Sequence, residues 1–208
     1  MGLRKPAARE ALHEVVERAL PRDIEGLCAQ LHLGNEAERR WAARDLADVA
    51  AAVPVLGRRL RDEADPRVRE ALFTSLCASA GEAAVDELLP LLRGDDAQLR
   101  NGAIEALAAM PRAVGPRIAA LLRDADPDVR ILTVNLLGEL RHEQVTPWLL
   151  QVLREDAEVN VVAAAIEVLA EVGGPEHVPA LHDAVRRFPA DPFIAFAAEA
   201  AAGRAGGG

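Results

Sequence analysis

The sequence contains no tyrosine, and aromatic side chains make up only 3% of its 208 residues. It has a single lysine, Lys5, so nearly all of its positive charge is carried by arginine. No apolar run approaches the roughly 20 residues that a membrane-spanning helix requires, and the N-terminus lacks the basic, apolar and small-residue order of a signal peptide. We therefore expect a cytoplasmic protein that has no membrane partner.

Positive charge is scarce in total as well, since the formal net charge is −9. A nucleic-acid-binding surface needs an electropositive footprint, so this acidic balance argues against nucleic acid as a partner. Cysteine is also rare, and Cys28 and Cys77 lie far apart in segments with helical patterns. Their positions favour reduced thiols in a reducing compartment over a disulfide.

What the sequence does contain is a repeated helix-pair pattern, which is clearest between residues 126 and 153. Asp126 is suited to cap a helix N-terminus, and Pro127 fits the first helical position, where a missing N–H costs nothing. Apolar residues then recur three or four positions apart, first over 129–140 and again over 145–153. Helices this short are unstable alone in water, so each must bury its apolar stripe against a neighbouring copy.

The same unit occurs five times at a nearly constant interval. One leucine near the end of each first helix recurs every 30 to 32 residues, at Leu46, Leu76, Leu107, Leu137 and Leu169. The start of the unit recurs as well, for example as Asp65-Pro66-Arg67-Val68-Arg69. A fixed period in this range predicts a solenoid of stacked helix pairs.

These motifs carry a family resemblance. The D-P-x-V-R start, the L-G-E-L end of the first helix over 137–140 and the V-P-x-L second helix over 178–181 resemble short HEAT-like repeats of the phycobilisome-lyase type. The resemblance covers about residues 35–202. It implies an all-α fold, a right-handed α-α superhelix, in a family that includes scaffolds, adaptors and a few enzymes.

The pattern predicts one domain over residues 1–208. Residues 1–34 lack the D-P-x-V-R start and form an atypical N-terminal pair, with a first helix over 7–20. Residues 35–189 hold the repeats, because a solenoid needs dissimilar units only at its ends. Residues 190–202 are expected to form a C-terminal capping helix, and 203–208 a flexible tail.

An arginine recurs near the start of four first helices, at Arg39, Arg69, Arg100 and Arg130. Stacking places these side chains in a row, and an Asp or Asn precedes each by four positions. We interpret the row as a structural ladder, in which each guanidinium bonds to a carboxylate or loop carbonyl of its own or the next repeat. An anion-binding stripe is the alternative. The fifth repeat has Val162 at this position.

Catalytic patterns are weak. Di-iron hydroxylases of the resembled family need several matching His-Glu dipeptides, whereas this chain has His13-Glu14 and His142-Glu143 at unrelated repeat positions. A branch that excises alkylated bases would need a basic cleft. No Ser/His/Asp set, phosphate loop or zinc spacing is present. We therefore predict no catalytic, cofactor-binding or metal-binding residues.

A partner surface is predicted on the second helices, which line the concave side in the resembled family. A 100° step per residue gives their outward positions, and a small, partly apolar groove there suits an amphipathic helix or extended segment of another protein. The alternative is that these residues only decorate a solvated surface. The predicted residues are Val55, Arg59, Glu87, Leu91, Ala120, Arg123, Pro147, Gln151, Arg154 and Ala184.

Two functions from different classes follow. The first is a monomeric, non-enzymatic scaffold or adaptor that binds another protein. The second is a phycobilin-lyase-like or chaperone-like subunit that acts on a modified protein. An idealised engineered repeat is a third possibility, against which the irregular spacing and the missing arginine at Val162 both argue.

Overall fold

The computed structural model describes residues 20–206, which form twelve α-helices, three 3-10 helices and no strand. Nearly all of the helix expected over 7–20 lies outside the described residues. The 3-10 helices cover Ala50–Ala52, Leu89–Arg93 and Pro175–His177. The α-helices are α1 (Ile24–Leu33), α2 (Glu36–Asp45), α3 (Val53–Asp62), α4 (Pro66–Ser79), α5 (Glu82–Leu88), α6 (Ala97–Ala108), α7 (Pro111–Leu121), α8 (Pro127–Glu139), α9 (Val145–Glu155), α10 (Val159–Val172), α11 (Val178–Arg187) and α12 (Pro192–Gly206).

A polar side chain before four of the five first helices caps the N-terminus of that helix. Asp65, Asp96 and Asp126 each accept a hydrogen bond from a backbone N–H of the first turn, which satisfies a donor that the helix itself leaves unpaired. Asn35 forms a reciprocal capping box with Glu38 at the start of α2. The fifth first helix, α10, has Glu158 at this position and no side-chain cap.

The helices pair and stack as a solenoid. First helices pack in the series α2, α4, α6, α8 and α10, while α3 packs on α5, α5 on α7, and α9 on α11. At one end α1 contacts α2 and α3, and at the other α12 covers both α10 and α11. Five helix pairs between two atypical ends confirm the predicted all-α repeat fold.

One continuous apolar core runs through the array. The five periodic leucines, Leu46, Leu76, Leu107, Leu137 and Leu169, are all buried in it. Each lies where a first helix meets its neighbours, so the core of one pair is completed by the next pair along the chain. Burying a leucine side chain is worth roughly 1.5–3 kcal/mol, so the stack stabilises helices that are too short to persist alone.

The C-terminal helix is longer than predicted. α12 runs to Gly206, so the expectation of a flexible tail from residue 203 is wrong for residues 203–206. The reason is that a helix already anchored against α10 and α11 gains one backbone hydrogen bond for each residue added.

Helix α4 ends on a strained residue. Its C-terminal cap, Ala80, adopts a left-handed conformation with φ 41°, and it is the only described non-glycine residue with positive φ. This conformation costs an L-residue about 1–2 kcal/mol, and glycine avoids the cost.

We predict that Ala80→Gly raises the free energy of unfolding by about 1 kcal/mol, measured by urea denaturation. Ala109 caps α6 with φ −69°, so Ala109→Gly should give no gain and cost up to about 1 kcal/mol. Equal effects of the two substitutions would show that the left-handed cap carries no strain.

Candidate partner-binding face

The predicted partner-binding residues differ in exposure. Ala120, Arg123, Pro147 and Arg154 are exposed, and Gln151 is half-buried. Val55, Arg59 and Glu87 are also half-buried. Leu91 and Ala184 belong to the core, with exposed fractions of 5% and 0%, so their assignment to an outward-facing surface is wrong.

The error at Ala184 is one of register. The predicted outward positions align the second helices through the valine at the start of each one. For Val145 and Val178 this alignment implies an interval of 33 residues, whereas the leucines Leu137 and Leu169 are 32 apart. With the shorter interval, buried Leu149 corresponds to buried Leu181. A shift of one residue turns a side chain by about 100° around a helix. The outward positions of α11 are therefore Pro179, Asp183 and Arg186, all of them exposed.

The error at Leu91 has the same origin. Aligned through Leu76 and Leu137, Leu91 corresponds to Val152, which is also buried. The second helix of this repeat continues as a 3-10 helix from Leu89, and its tighter turn moves Leu91 about 40° further toward the core than an α-helix would. The outward positions become Asp86, Pro90 and Arg93, again all exposed.

With the register corrected, the second helices present three rows of residues, which together we call the second-helix face. The first row is Val55, Asp86, Pro116, Pro147 and Pro179, and the second is Arg59, Pro90, Ala120, Gln151 and Asp183. The third row is Asp62, Arg93, Arg123, Arg154 and Arg186, again at intervals of 30 to 32 residues. The four arginines of this row are all exposed, and we call them the arginine row.

Sequence reasoning missed Arg93 and Arg186, although their spacing from Arg123 and Arg154 was a usable signal. The outer two arginines are paired, Arg93 with Asp124 and Arg186 with Asp183. The hydrogen bond from Arg93 is the main reason that the pKa of Asp124 is lowered. Arg123, two residues beyond the end of α7, donates to the carbonyl of Ala119 in the last turn of that helix. Among the described residues, Arg123 and Arg154 have no carboxylate within ion-pair distance.

A cleft of about 360 Å³ opens on this face between α7 and α9, two helices that barely touch. The imidazole of His142 stacks on Trp148, with ring centroids 4.9 Å apart. A Cβ added at Gly115 would lie 3.0 Å from His142 Nε2, so the imidazole lies directly against α7. This stack separates the two helices. The gap is lined by Leu122, Arg123, Gln151, Val152, Glu155 and Asp156, among others.

The arginines of the first helices have a different environment. Each donates to a carbonyl of the loop before its own helix: Arg39 to Gly34, Arg69 to Glu63, Arg100 to Gly94 and Arg130 to Asp124. Three of them also pair with a carboxylate at or before the next first helix: Arg39 with Glu63, Arg69 with Asp96 and Arg130 with Asp156. These contacts join consecutive loops.

In the fifth repeat, the loop carbonyl accepts its hydrogen bond from an arginine of the second helix. Its first helix has buried Val162 where the others carry arginine, and the corresponding loop carbonyl is that of Asp156. Arg187 of α11 donates to this carbonyl at 2.6 Å and also to the carbonyl of Leu153. A guanidinium from the second helix thus replaces the missing one from the first.

Glu63 is the most enclosed charged residue described, with an exposed fraction of 2%. Arg39 binds its carboxylate through two hydrogen bonds of 2.8 and 3.0 Å, and Arg59 and the backbone N–H of Asp65 donate to it as well. Burial alone raises the pKa of Glu63, but these donors outweigh it and lower the pKa to about 2. Arg59 therefore stabilises the fold, although it was predicted to contact a partner.

Glu87 also makes internal contacts. Its carboxylate accepts a hydrogen bond from Arg61 at 2.9 Å, and its side chain packs over Gly57 of α3. Within residues 20–206, no group of three or more His, Cys, Asp and Glu side chains is arranged to hold a metal ion. None of the described helices is both long and apolar enough to cross a membrane.

Comparison with known proteins gives one family match. The family model for HEAT repeats matches residues 24–108 and 115–202, which is most of the chain. No curated protein matches.

Several solved structures are similar in fold. An engineered protein is 21% identical, with 89% of this chain and 99% of that chain covered and a TM-score of 0.42. A designed armadillo repeat protein in complex with the peptide (KR)4 is 19% identical, with coverages of 88% and 99% and a TM-score of 0.40. The CpcE–CpcF complex of phycocyanin lyase from Nostoc sp. PCC7120 is 21% identical, with coverages of 87% and 82% and a TM-score of 0.37.

We predict that Arg187→Met lowers the stability of the fifth repeat by about 1–2 kcal/mol, because two loop carbonyls lose a charged donor. Hydrogen exchange of the α11 amides measures this loss. The adjacent Arg186 is exposed and pairs only within its own helix, so Arg186→Met should change protection by less than about 0.5 kcal/mol. Equal effects would show that the carbonyl contacts of Arg187 contribute nothing.

Glu63→Gln should lower the free energy of unfolding at pH 7 by about 3 kcal/mol. The folded pKa of Glu63, about 2, is below its ordinary value of 4.5, so the carboxylate stabilises the fold fully above pH 4.5. That contribution is lost as the pH falls from 4.5 toward 2.

The difference in free energy of unfolding between wild type and Glu63→Gln should therefore shrink as the pH falls from 4.5 toward 2. Urea titrations at several pH values would measure this change. Asp62→Asn, at the exposed neighbouring position, is the control and should change stability little at any of these pH values. If the difference in free energy of unfolding between wild type and Glu63→Gln does not depend on pH, the pKa of Glu63 is not lowered in the folded protein.

Proposed function

The chain belongs to the HEAT-repeat family, and we propose that it acts as a non-enzymatic scaffold or adaptor in the cytoplasm. In this proposal the protein is a monomer that binds a segment of another protein across its second-helix face. The observation that carries the proposal is the register of that face. In every repeat the outward positions of the second helix recur at 30 to 32 residues.

The composition of the face supports this role. Pro116, Pro147 and Pro179 are exposed in one row, and exposed Ala120 lies beside them. Proline and alanine lose little side-chain entropy when a partner covers them, so they favour contact with another chain. The arginine row borders these positions, and this combination of a small apolar centre with a charged border suits recognition of a protein segment.

Variants that test the face must leave the fold intact. Leu91 is in the core and Arg59 pairs with buried Glu63. A negatively charged substitute at either position would therefore weaken the fold itself. Ala120 and Pro147 are exposed, and Pro147 lies in the first turn of α9, where a glutamate is compatible with the helix dipole.

We predict that the double variant Ala120→Glu/Pro147→Glu loses at least tenfold of its binding to the partner, because two buried carboxylates would face the bound segment. Affinity purification with quantitative mass spectrometry from the source cells measures this loss. The control is Asn135→Glu, which places the same charge on the exposed side of first helix α8. Circular dichroism should show unchanged helicity for both variants.

A partner that binds the double variant as well as it binds wild type would rule out this face. Loss of binding in Asn135→Glu alone would place the partner on the first helices instead. A purified protein with visible absorption would instead favour the lyase-like function, because the two tryptophans and four phenylalanines of this chain absorb only in the ultraviolet.

A further inference from the structure

A groove lies between the first helices α4 and α6, and we call it the α4–α6 groove. Its cavity of about 610 Å³ is within the range of roughly 300–1,000 Å³ that small-molecule sites usually have. Glu70, Phe73 and Cys77 of α4 line one side, and Gly102 and Glu105 of α6 line the other. On each helix these residues are three, four or seven positions apart, so they share one face of that helix.

The floor of the groove is apolar, and a glycine makes room for an aromatic ring in it. Phe73 and Cys77 are half-buried, and Ala106, which also lines the groove, is 4% exposed. A Cβ added at Gly102 would lie 2.5 Å from Cε2 of Phe73, so the phenyl ring rests against the backbone of α6. The other four first helices have larger residues at this position: Trp41, Ala71, Leu132 and Ala164.

The rim of the groove carries two carboxylates. Glu70 and Glu105 are both exposed and both line the cavity. Within the described range of 20–206, neither has an arginine, lysine or histidine within ion-pair distance. The groove therefore combines an apolar, partly aromatic floor with negative charge at its edge.

The arginines nearest to this rim are engaged by other carboxylates. Arg69 lines one end of the groove, but its guanidinium pairs with Asp96 at 2.9 Å. Arg67, three residues before Glu70, lies 3.9 Å from the carboxylate of Glu36 on α2. The positive charge of these two side chains is thus offset by acidic residues that do not line the groove.

This combination of floor and rim distinguishes ligands by shape and by charge. A flat aromatic body would bury apolar surface on the floor and contact the ring of Phe73. A positive group on that body would form charge-assisted hydrogen bonds with the carboxylates of the rim. A neutral ligand of the same shape would gain only the contacts with the floor, and an anion would be repelled.

We propose that the α4–α6 groove binds a small organic cation with an aromatic body. The aromatic body lies on the floor beside Phe73, and the cationic group contacts Glu70 and Glu105. This site goes beyond the proposed function, because it is formed by first helices and uses no residue of the second-helix face.

The test titrates the isotope-labelled full-length chain at pH 7 with three ligands, followed by backbone amide NMR. Tryptamine, tryptophol and indole-3-acetate share an indole ring and differ in its side chain, which ends in an ammonium, a hydroxyl or a carboxylate. Tryptamine should shift the amide resonances of residues 70–77 and 101–106. It should bind about fivefold more tightly than tryptophol, since ion pairs at an exposed rim add modestly to affinity. Indole-3-acetate should bind more weakly than tryptophol.

The double variant Glu70→Gln/Glu105→Gln should bind tryptamine about fivefold more weakly than wild type and tryptophol equally well. The control is Glu139→Gln/Glu167→Gln, which removes two exposed carboxylates from the first helices α8 and α10 and should bind both ligands like wild type. Raising the salt concentration should reduce the preference of wild type for tryptamine over tryptophol.

A second variant blocks the groove itself. Thr74 is exposed on α4 and lines the groove, four residues after Glu70. An arginine at this position can pair with Glu70 along the helix and cover the floor. Thr74→Arg should therefore lose at least about tenfold of its affinity for tryptamine and for tryptophol, with unchanged helicity by circular dichroism.

Several results would overturn the inference: equal affinity of wild type for tryptamine and tryptophol, amide shifts outside α4 and α6 only, or no binding at about 5 mM tryptamine. Equal loss in the two double variants, or full binding by Thr74→Arg, would overturn it as well. The variant Ala120→Glu/Pro147→Glu should bind tryptamine like wild type, so failure of this site and failure of the second-helix face are distinguished.

Discussion

Burial of one apolar stripe against the next is the interaction on which the whole molecule depends. Its helices are mostly 10 to 14 residues long, which is too short for stability in water without tertiary contacts. Each pair therefore completes its core only when another pair covers it. The five periodic leucines lie at these junctions, and α1 and α12 cover the two ends of the series.

Stacking alone leaves the connecting loops with unpaired carbonyls, and arginine satisfies them. Four first-helix arginines bond to loop carbonyls at the start of their own repeats, and three of them also reach a carboxylate of the following loop. In the fifth repeat Arg187 does the same from the opposite helix. The requirement is thus for a guanidinium at the loop, and either helix of the pair can provide it.

The arginines of the first helices and those of the arginine row consequently differ in the contacts they make. Those of the first helices are largely consumed by loop carbonyls and by carboxylates such as Glu63 and Asp156. The four members of the arginine row, at the ends of second helices, point to solvent, and two of these four lack a described acidic partner. An arginine used inside the fold adds stability, whereas one left on a regular surface row is available to another molecule.

The sequence by itself determined the repeat number, the helix-pair unit and the core leucines, because a period of 30 to 32 residues and a 3.6-residue apolar stripe are local patterns. Only the tertiary structure decided which second-helix residues face outward. An alignment of the second helices through their first valines puts Leu91 and Ala184 one residue out of register, and a single residue is enough to turn a side chain from solvent into the core. Likewise, that Arg59 neutralises buried Glu63, and that His142 separates α7 from α9, depends on residues brought together by packing rather than by spacing along the chain.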